Sequence, residues 1–336
     1  MKKLALTILI FQLISLSNLN GQEIIESRIL KQVQEYLAEH FVAKVSDMLI
    51  KEGNVYFIDQ GLTAIIKTDL ELQFISKFGE QGMGPNEMER PEFLLNIEDS
   101  PNLLVLDTRL RKLLEYSQDG KLLGSPSTLQ ASLISHPFMF NSVLYYRSGS
   151  DPTIDIAAYD LNNKKALPGI NLKGDFRESG LGRDIHPYKN QFVSVVNYSP
   201  PVIEVFNKDW NLTHTLDLTE NPLIAKRVAF KKPSGISITG TGKNKIKQIA
   251  SGEVIIKCSR LYKDKLYLLA STMNGREDTI ANTVFTYELQ NNTWVQKEQI
   301  NLPKQGNYNT FAMLDDKRLV AFEWVSSTLQ LLELKK

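Results

Sequence analysis

The stretch GNVYFIDQGLTAIIKTDLEL, residues 53–72, has a second copy in PNLLVLDTRLRKLLEYSQDGKL, residues 101–122. When the copies are aligned at an offset of 48, Asn54 falls on Asn102 and Asp59 falls on Asp107. Short apolar runs in each copy are joined by polar turns whose residues tolerate the backbone angles of a hairpin. The two copies therefore predict a repeated unit that is built from β-hairpins.

The second half of this unit recurs along most of the chain. An apolar or aromatic residue precedes a polar turn in AIIKTDLEL, KLLEYSQDGKL, IAAYDLNNKKAL, IEVFNKDWNL and VFTYELQNNTWV. A sixth copy begins at TFAMLDDKRLVAFEWVSSTLQLLELKK and stops after its third strand. Units of about 45 residues with four short strands are typical of β-propeller blades. We therefore expect an all-β, six-bladed β-propeller with four-stranded antiparallel blades.

The start of the mature chain can supply the strand that the last unit lacks. The segment QEIIESRILKQ precedes the first unit, although Ile29, Val33, Tyr36 and Leu37 also fit a helical stripe. We expect a closing strand near residues 23–30 followed by a short helical turn, with a plain helix as the alternative. A closing strand would cover a sheet edge that otherwise favours aggregation.

The N-terminus has the layout of a secretory signal peptide. Lys2 and Lys3 precede an apolar run over residues 4–16, and small and polar residues follow that run. The run is short for a membrane span, so we expect cleavage after Gly21 and a secreted or periplasmic product; the alternative is an uncleaved anchor. No later segment is apolar enough to span a membrane.

Composition limits the classes of function. The net charge of +1 gives no general attraction for nucleic acid or for an anionic membrane surface. Cys258 is the only cysteine, so an internal disulfide or a thiol-rich metal cluster is excluded. Cys258 lies in an apolar run, and we expect it to be buried and inert.

We expect one domain after the signal peptide of residues 1–21. This domain covers residues 22–336 and behaves as a monomer. Its expected blades cover residues 42–78, 92–124, 131–172, 189–218, 248–301 and 308–336, and the last is completed by the N-terminal strand.

The segment GMGPNEMERPEFLLNIEDSPNLLVLDTRLRKLLEYSQDGKL resembles the repeat of NHL-type and TolB-like six-bladed propellers. In that repeat a glycine-rich segment and a proline come before an inner strand, which is followed by an aspartate and then by an arginine. The matching positions here are Gly82, Gly84, Pro85, Glu87, Pro91, Asp107, Arg109 and Arg111. The chain is also similar to secreted six-bladed propellers of bacteria. The resemblance implies the fold, whereas propellers serve as binding proteins, enzymes and scaffolds alike.

The segment FGEQGMGPNEMERPEF, residues 78–93, contains many glycines but does not predict a phosphate site. A phosphate loop follows a strand and opens a helix, whereas this segment lies between the outer strand of one unit and the inner strand of the next. We interpret it as a structural crossover between blades. Its turn-forming residues are Gly79, Gly82, Gly84, Pro85 and Pro91.

A ligand would most easily meet several blades on one face of a propeller. There, the loops between second and third strands lie beside the crossovers between blades. We expect a protein, peptide or carbohydrate ligand on this face. The candidate binding residues are Arg90, Asp107, Arg109, His136, Arg183, His186, Tyr188 and Trp324. Of these, we expect Arg90, His136, Arg183, His186 and Tyr188 in the crossovers between blades. The alternatives are that such residues are scattered over any loop-rich surface, and that Asp59 and Asp107 only bind turn amides.

Signatures of catalysis are weak. The four histidines occur singly, HExxH and GxSxG are absent, and GTGKN lacks the first glycine and the hydroxyl residue of a phosphate loop. We assign no catalytic residue, metal ligand or cofactor. The competing hypothesis is a metal-dependent lyase or hydrolase with a site in the central channel, as in some six-bladed propellers. Asp107 with His136 or His186 would be the first candidates for that site.

A long insertion from Thr219 to about residue 249 carries a local basic cluster. We interpret this segment as a solvated loop, and docking of a partner or of an acidic polymer is the alternative. The basic residues are Lys226, Arg227, Lys231, Lys232, Lys243, Lys245 and Lys247.

Overall fold

The fold is described from a computed structural model. The structure describes residues 22–37, 40–97, 100–129, 137–147, 154–174, 182–230, 253–275, 278–291 and 293–335. The expected signal peptide lies outside these residues. The described part begins with β1 (Glu23–Val33), β2 (Glu35–Leu37) and β3 (His40–Phe41).

Four sheets in the described ranges are four-stranded and antiparallel, as expected for blades, and each follows the chain order. The first contains β4 (Val45–Lys51), β5 (Asn54–Asp59), β6 (Ala64–Asp69) and β7 (Phe74–Phe78). The second contains β8 (Pro91–Asn96), β9 (Leu103–Asp107), β10 (Lys112–Tyr116) and β11 (Leu122–Thr128). The third contains β12 (Phe138–Phe140), β13 (Val143–Tyr146), β14 (Ile156–Asp160) and β15 (Lys165–Ile170). The fourth contains β16 (Arg183–Tyr188), β17 (Gln191–Val196), β18 (Val202–Asn207) and β19 (Leu212–Asp217).

The C-terminal third forms an eight-stranded sheet that includes the N-terminal strand. Its order is β20-β21-β22-β23-β1-β26-β25-β24. Its remaining members are β20 (Ile256–Tyr262), β21 (Lys265–Asn274), β22 (Asp278–Gln290), β23 (Thr293–Asn301), β24 (Tyr308–Met313), β25 (Arg318–Glu323) and β26 (Thr328–Lys335).

The N-terminal strand is the link within this sheet. Residues 23–26 of β1 pair in parallel with β23, and residues 26–33 pair antiparallel with β26. The expected helical turn after the strand is wrong, because β2 and β3 form a small two-stranded sheet instead. Tyr36 fitted a helical stripe, but its ring packs against Phe57 and Phe74 of the first four-stranded sheet. Tertiary packing therefore overrides the local helical pattern.

The start of the basic insertion is helical rather than a loop. A 3₁₀ turn (Leu218–Glu220) is followed by α1 (Pro222–Ala229), whose first amides are capped by the side chain of Asn221. Arg227 is buried and forms an ion pair with Glu253, so it does not belong to a solvated basic cluster. The basic residues at 231, 232, 243, 245 and 247 lie outside the described residues.

Apolar clusters fill the spaces between neighbouring sheets. Ile58 of β5 shares a cluster with Val105 of β9, and Leu106 of β9 shares the next one with Leu144 of β13. Burial of each such side chain contributes about 1.5–3 kcal/mol. The shared clusters thus fix the sheets face to face.

The same packing returns to the first sheet at the end of the chain. Phe322 of β25 and Phe57 of β5 are fully buried in one cluster, which also contains Val33 of β1. The last strands of the chain therefore pack directly against the first four-stranded sheet.

Candidate functional site

Antiparallel order gives each blade two distinct ends. We call "loop face" the end where connections between second and third strands lie beside the connections between sheets. We call "turn face" the opposite end, which carries the turns between first and second and between third and fourth strands. Asp59, Asp107 and Glu323 end the strands β5, β9 and β25, and all lie at the loop face.

Asp107 organises the backbone at the loop face. Its side chain is fully buried, and Oδ2 accepts hydrogen bonds from the amides of Glu89 at 2.6 Å and Arg90 at 2.9 Å. Oδ1 accepts from the amides of Arg109 at 3.0 Å and Leu110 at 2.7 Å. The carboxylate therefore ties the incoming connection to the turn that follows β9, which is the structural role weighed above.

Two other strands end in the same arrangement, which we call the carboxylate clamp. The carboxylate of Asp59 accepts from the amides of Ala43 and Gly61 at 3.0 and 2.8 Å. The carboxylate of Glu323 accepts from the amides of Asn307 and Val325 at 2.8 and 3.0 Å. The clamp therefore accounts for the match between Asp59 and Asp107 in the sequence repeat.

Hydrogen bonding controls the ionisation of the Glu323 clamp. Burial alone would raise the pKa of Glu323, but hydrogen bonds from the Ser326 hydroxyl and from the amides of Asn307, Ser326 and Val325 outweigh burial and lower the pKa. Glu323 is therefore held in its charged form, which is the form that accepts these bonds.

The turn after Glu323 presents two large apolar side chains to solvent. Trp324 is 48% exposed and Val325 is 73% exposed, while the Trp324 amide donates to the Asn307 carbonyl at 2.8 Å. The backbone of the turn is thus fixed by hydrogen bonds although its side chains are free of the core. Phe41 and Met83, in connections that reach the same face, are also exposed.

Arg90 and Arg109 lie on the loop face, as expected, but each is engaged by a neighbouring acid. Arg90 pairs with Glu92 at 2.6 Å, and Arg109 pairs with Glu89 at 2.9 Å. Both arginines are largely exposed, so these pairs contribute little stability and can rearrange around a ligand. The structure therefore brings Arg90, Asp107 and Arg109 together around one connection.

The glycine-rich connection before β8 forms a compact loop. Gly79 has a φ of 91°, a left-handed backbone conformation that favours glycine, and a Cβ there would lie 2.2 Å from the Met88 Cε, which would have to shift. The Gly84 amide donates to the Glu87 carboxylate at 2.7 Å, and the Gly84 carbonyl accepts from Lys112 Nζ at 2.6 Å.

The other marked positions of this connection frame the loop. The Gly82 amide donates to the Met88 carbonyl at 2.9 Å. Pro85 is exposed, whereas Pro91 begins the edge strand β8 and is buried. The segment opens a strand rather than a helix, so it lacks the geometry of a phosphate loop.

The expected placement of Arg183, His186 and Tyr188 in a connection is wrong, because all three belong to β16. Arg183 is buried and pairs with Glu204 at 2.5 Å. Tyr188 lies at the opposite end of the strand, on the turn face. Pro187 is compatible with this strand because β16 is an edge strand, where a missing amide donor is tolerated. His136 lies outside the described residues.

A polar network joins the innermost strands of several sheets. Arg260 Nη2 of β20 donates to Asp47 Oδ1 of β4 at 2.6 Å and to Thr310 Oγ1 of β24 at 3.1 Å. The largest influence on Arg260 is burial, which lowers its pKa, but the nearby Cys258 and Asp47 outweigh it and the pKa is raised. Arg260 was missed as a site residue, although an arginine within the apolar run EVIIKCSRL was a visible signal.

A second part of this network contains the residue types of a hydrolase triad but not its geometry. Ser259 Oγ lies 2.7 Å from His186 Nε2 and donates to Asp184 Oδ2 at 2.8 Å. Ser259 is almost fully buried. A nucleophilic serine passes its proton to the imidazole, whereas this hydroxyl is directed at the carboxylate. The arrangement therefore fits a structural role. Cys258 beside it is buried, as expected, and burial raises the pKa of its thiol.

Comparisons with known proteins give structural relatives. No family model matches the chain, and no curated protein matches it. A DUF4221 family member from Bacteroides vulgatus ATCC 8482 has a TM-score of 0.58 at 14% identity, covering 94% of this chain and 99% of that one. A protein of Bacteroides fragilis NCTC 9343, named for its expected export, has a TM-score of 0.56 at 12% identity, covering 93% and 100%. The β-propeller domain of Cps50 (Swd1) from Myceliophteria thermophila has a TM-score of 0.50 at 10% identity, covering 92% and 100%.

The chain is a β-propeller. Identities this low establish the fold alone and leave the function to the chain's own residues. Within the described ranges of the propeller, no group of three or more His, Cys, Asp or Glu side chains is arranged to hold a metal ion. In the same ranges, no helix is long and apolar enough to cross a membrane.

Proposed function

We propose that the chain is an exported, monomeric six-bladed propeller of the NHL or TolB-like type, whose ring is completed by β1. The strand order supports this count, because the eight-stranded sheet divides into β20–β23 and a second set of β24–β26 with β1. Two such blades and the four four-stranded sheets give six. Further support comes from the cluster that Phe322 and Phe57 share across the first and last sheets.

We propose that this propeller is a binding protein rather than an enzyme, and that it takes an apolar segment of a protein or peptide partner on the loop face. The observation that carries the proposal is the exposed Trp324–Val325 pair on a turn fixed by the Glu323 clamp. Tryptophan is enriched in the residues that dominate binding energy at interfaces. A side chain on a rigid turn also loses little backbone entropy when a partner binds.

Other residues of the loop face suit such a site. Phe41 and Met83 are further exposed apolar side chains on this face, and methionine and aromatic side chains are common in interface centres. Arg90 and Arg109 add guanidinium groups that can exchange their local acid partners for carboxylates or carbonyls of a ligand. The polar groups then set specificity, and the apolar pair supplies most of the binding free energy.

Selection of peptides from a displayed random library on purified residues 22–336 tests this function. We expect the selected peptides to share an apolar core and to bind with micromolar dissociation constants. The double variant W324A/V325A should weaken them at least tenfold, about 1.4 kcal/mol. The matched control is I75A, which removes an exposed apolar side chain from the outer strand β7.

The outcomes separate site from fold. Equal binding by W324A/V325A and the unaltered chain would show that the partner binds elsewhere. If W324A/V325A and I75A lose the same amount of affinity, the peptides bind to any exposed apolar surface, and a specific site is contradicted. The proposal would also be refuted if no peptide that binds to the loop face were selected.

A further inference from the structure

The turn face carries a cavity of about 560 Å³ that the proposed function does not use. Equivalent turns of two sheets build it, namely the turn joining β16 to β17 and, in the eight-stranded sheet, the turns joining β20 to β21 and β24 to β25. Buried Tyr267 and Leu334 contribute to its lining. The volume lies in the range of sites that hold small molecules.

Charged groups line the cavity in pairs of opposite sign. Lys263 Nζ lies 2.7 Å from Asp316 Oδ2, and this pair joins two turns of the eight-stranded sheet. Lys189 Nζ lies 3.6 Å from Asp264 Oδ1 and thereby joins the third turn to them. Deeper in the cavity, Lys265 Nζ pairs with Glu288 at 2.8 Å. The lining therefore offers hydrogen-bond donors and acceptors side by side.

Aromatic rings lie between these pairs. The Tyr188 hydroxyl donates to Asp264 at 3.0 Å, and Lys189 Nζ lies 4.7 Å from the centre of the Tyr188 ring. Lys263 Nζ lies 5.1 Å from the centre of the Tyr262 ring. Each turn of β16 and β20 thus combines an aromatic ring with an ammonium group beside a carboxylate.

We propose that this cavity is a binding site for a neutral saccharide of one or two sugar units. A sugar hydroxyl can donate to a carboxylate while it accepts from the ammonium beside it, so each ion pair matches one hydroxyl without being separated. The apolar face of a sugar ring can pack against the part of the Tyr262 ring that is open to solvent, whereas Tyr188 and Tyr267 are buried. The cavity volume also suits a ligand of this size.

Other ligand classes match this lining less well. A phosphate or sulfate would meet Asp264, Asp316 and Glu288, which repel it. A multiply charged cation would meet the lysines in the same way. A zwitterion that reached the deeper part of the cavity would have to separate the partly buried Lys265–Glu288 pair, which is unfavourable.

The test is a titration of purified residues 22–336 with maltose, cellobiose and N,N′-diacetylchitobiose, monitored by saturation-transfer NMR and calorimetry. Glycine and inorganic phosphate serve as zwitterionic and anionic comparators. We expect at least one disaccharide to bind saturably in the millimolar range or tighter. The double variant D264A/D316A should weaken that binding at least tenfold. Both side chains are largely exposed, so the variant is expected to fold.

The matched control is D209A, which removes an exposed aspartate from the turn after β18, outside the cavity. A second measurement avoids variants altogether: the bound sugar should slow acetylation of Lys189 and Lys263 by acetic anhydride, as read by peptide mass spectrometry. Exposed Lys208 on the β18–β19 turn should react equally with and without sugar.

Three results would overturn the site. The first is that none of the three sugars binds. The second is that a sugar still binds D264A/D316A and does not slow acetylation of the two lysines. The third is that glycine or phosphate slows this acetylation more than the sugars do. The W324A/V325A variant should leave sugar binding unchanged, because the two sites lie at opposite ends of the blades. Failure of either proposal is therefore distinguishable from failure of the other.

Discussion

Replacement of Asp107 by asparagine should weaken the clamp without changing its shape. The carboxylate accepts from four backbone amides, and an asparagine side chain has one acceptor oxygen, so two of these bonds lose their acceptor. Hydrogen bonds to charged groups contribute about 1.5–3 kcal/mol each. The lower value applies here because the connection is only partly buried, and D107N should therefore lower the free energy of unfolding by about 3 kcal/mol.

Urea denaturation followed by circular dichroism measures this change, and hydrogen exchange locates it. Exchange should accelerate most at the amides of Glu89, Arg90, Arg109 and Leu110. The control is D209N, whose exposed side chain lies in a turn on the opposite face, and it should leave both measurements unchanged. If D107N stays within about 0.5 kcal/mol of the unaltered chain, the typical range for neutral surface changes, the clamp is not a major source of stability.

Three further predictions concern other parts of the fold. The pKa of Glu323 is lowered, so its clamp stabilises the fold above about pH 4.3, the ordinary glutamate value, and is lost as the pH falls through the lower folded pKa. E323Q should therefore flatten urea stability between about pH 5 and pH 3, and an unchanged slope would contradict this. R260M leaves Asp47 without its cation and should lower the free energy of unfolding in urea by about 3–5 kcal/mol. The double variant R260M/D47N should recover part of this loss. If it recovers none, the two residues are not coupled. Removal of residues 22–33 uncovers the edges of β23 and β26, so size-exclusion chromatography at micromolar concentration should show aggregation, and a stable monomer would refute the role of β1.

Much of the architecture could be predicted because it depends on local chemistry. Hairpin turns require Asp, Asn or Gly at particular positions, and these residues are visible in the sequence. The alignment of Asp59 with Asp107 was informative because both carboxylates bind the same turn amides. The β-propeller and its four-stranded antiparallel blades followed from this pattern, while the number of blades stays a prediction.

The candidate sites were harder to predict because they depend on contacts between distant strands. Arg183, His186 and Tyr188 are expected in a crossover but belong to β16, and Pro187 is tolerated in this strand because β16 lies at a sheet edge. Arg227 lies within a basic run, but its partner Glu253 comes 26 positions later. The cavity on the turn face combines residues from two sheets that are distant in the sequence, and no local motif brings Tyr188, Tyr262 and Asp316 together.

The carboxylate clamp has a consequence for the evolution and engineering of this chain. Because the acid holds the turn through backbone amides, the next two side chains are free to vary. They are Thr108 and Arg109 after the Asp107 clamp, and Trp324 and Val325 after the Glu323 clamp. Gly61 is an exception, since a Cβ there would lie 2.3 Å from the Ala43 Cβ. T108W/R109V should therefore transplant the apolar pair from β25 to β9. Each clamp thus fixes the backbone of its turn, so that the residues that would contact a ligand can be exchanged without changing the scaffold.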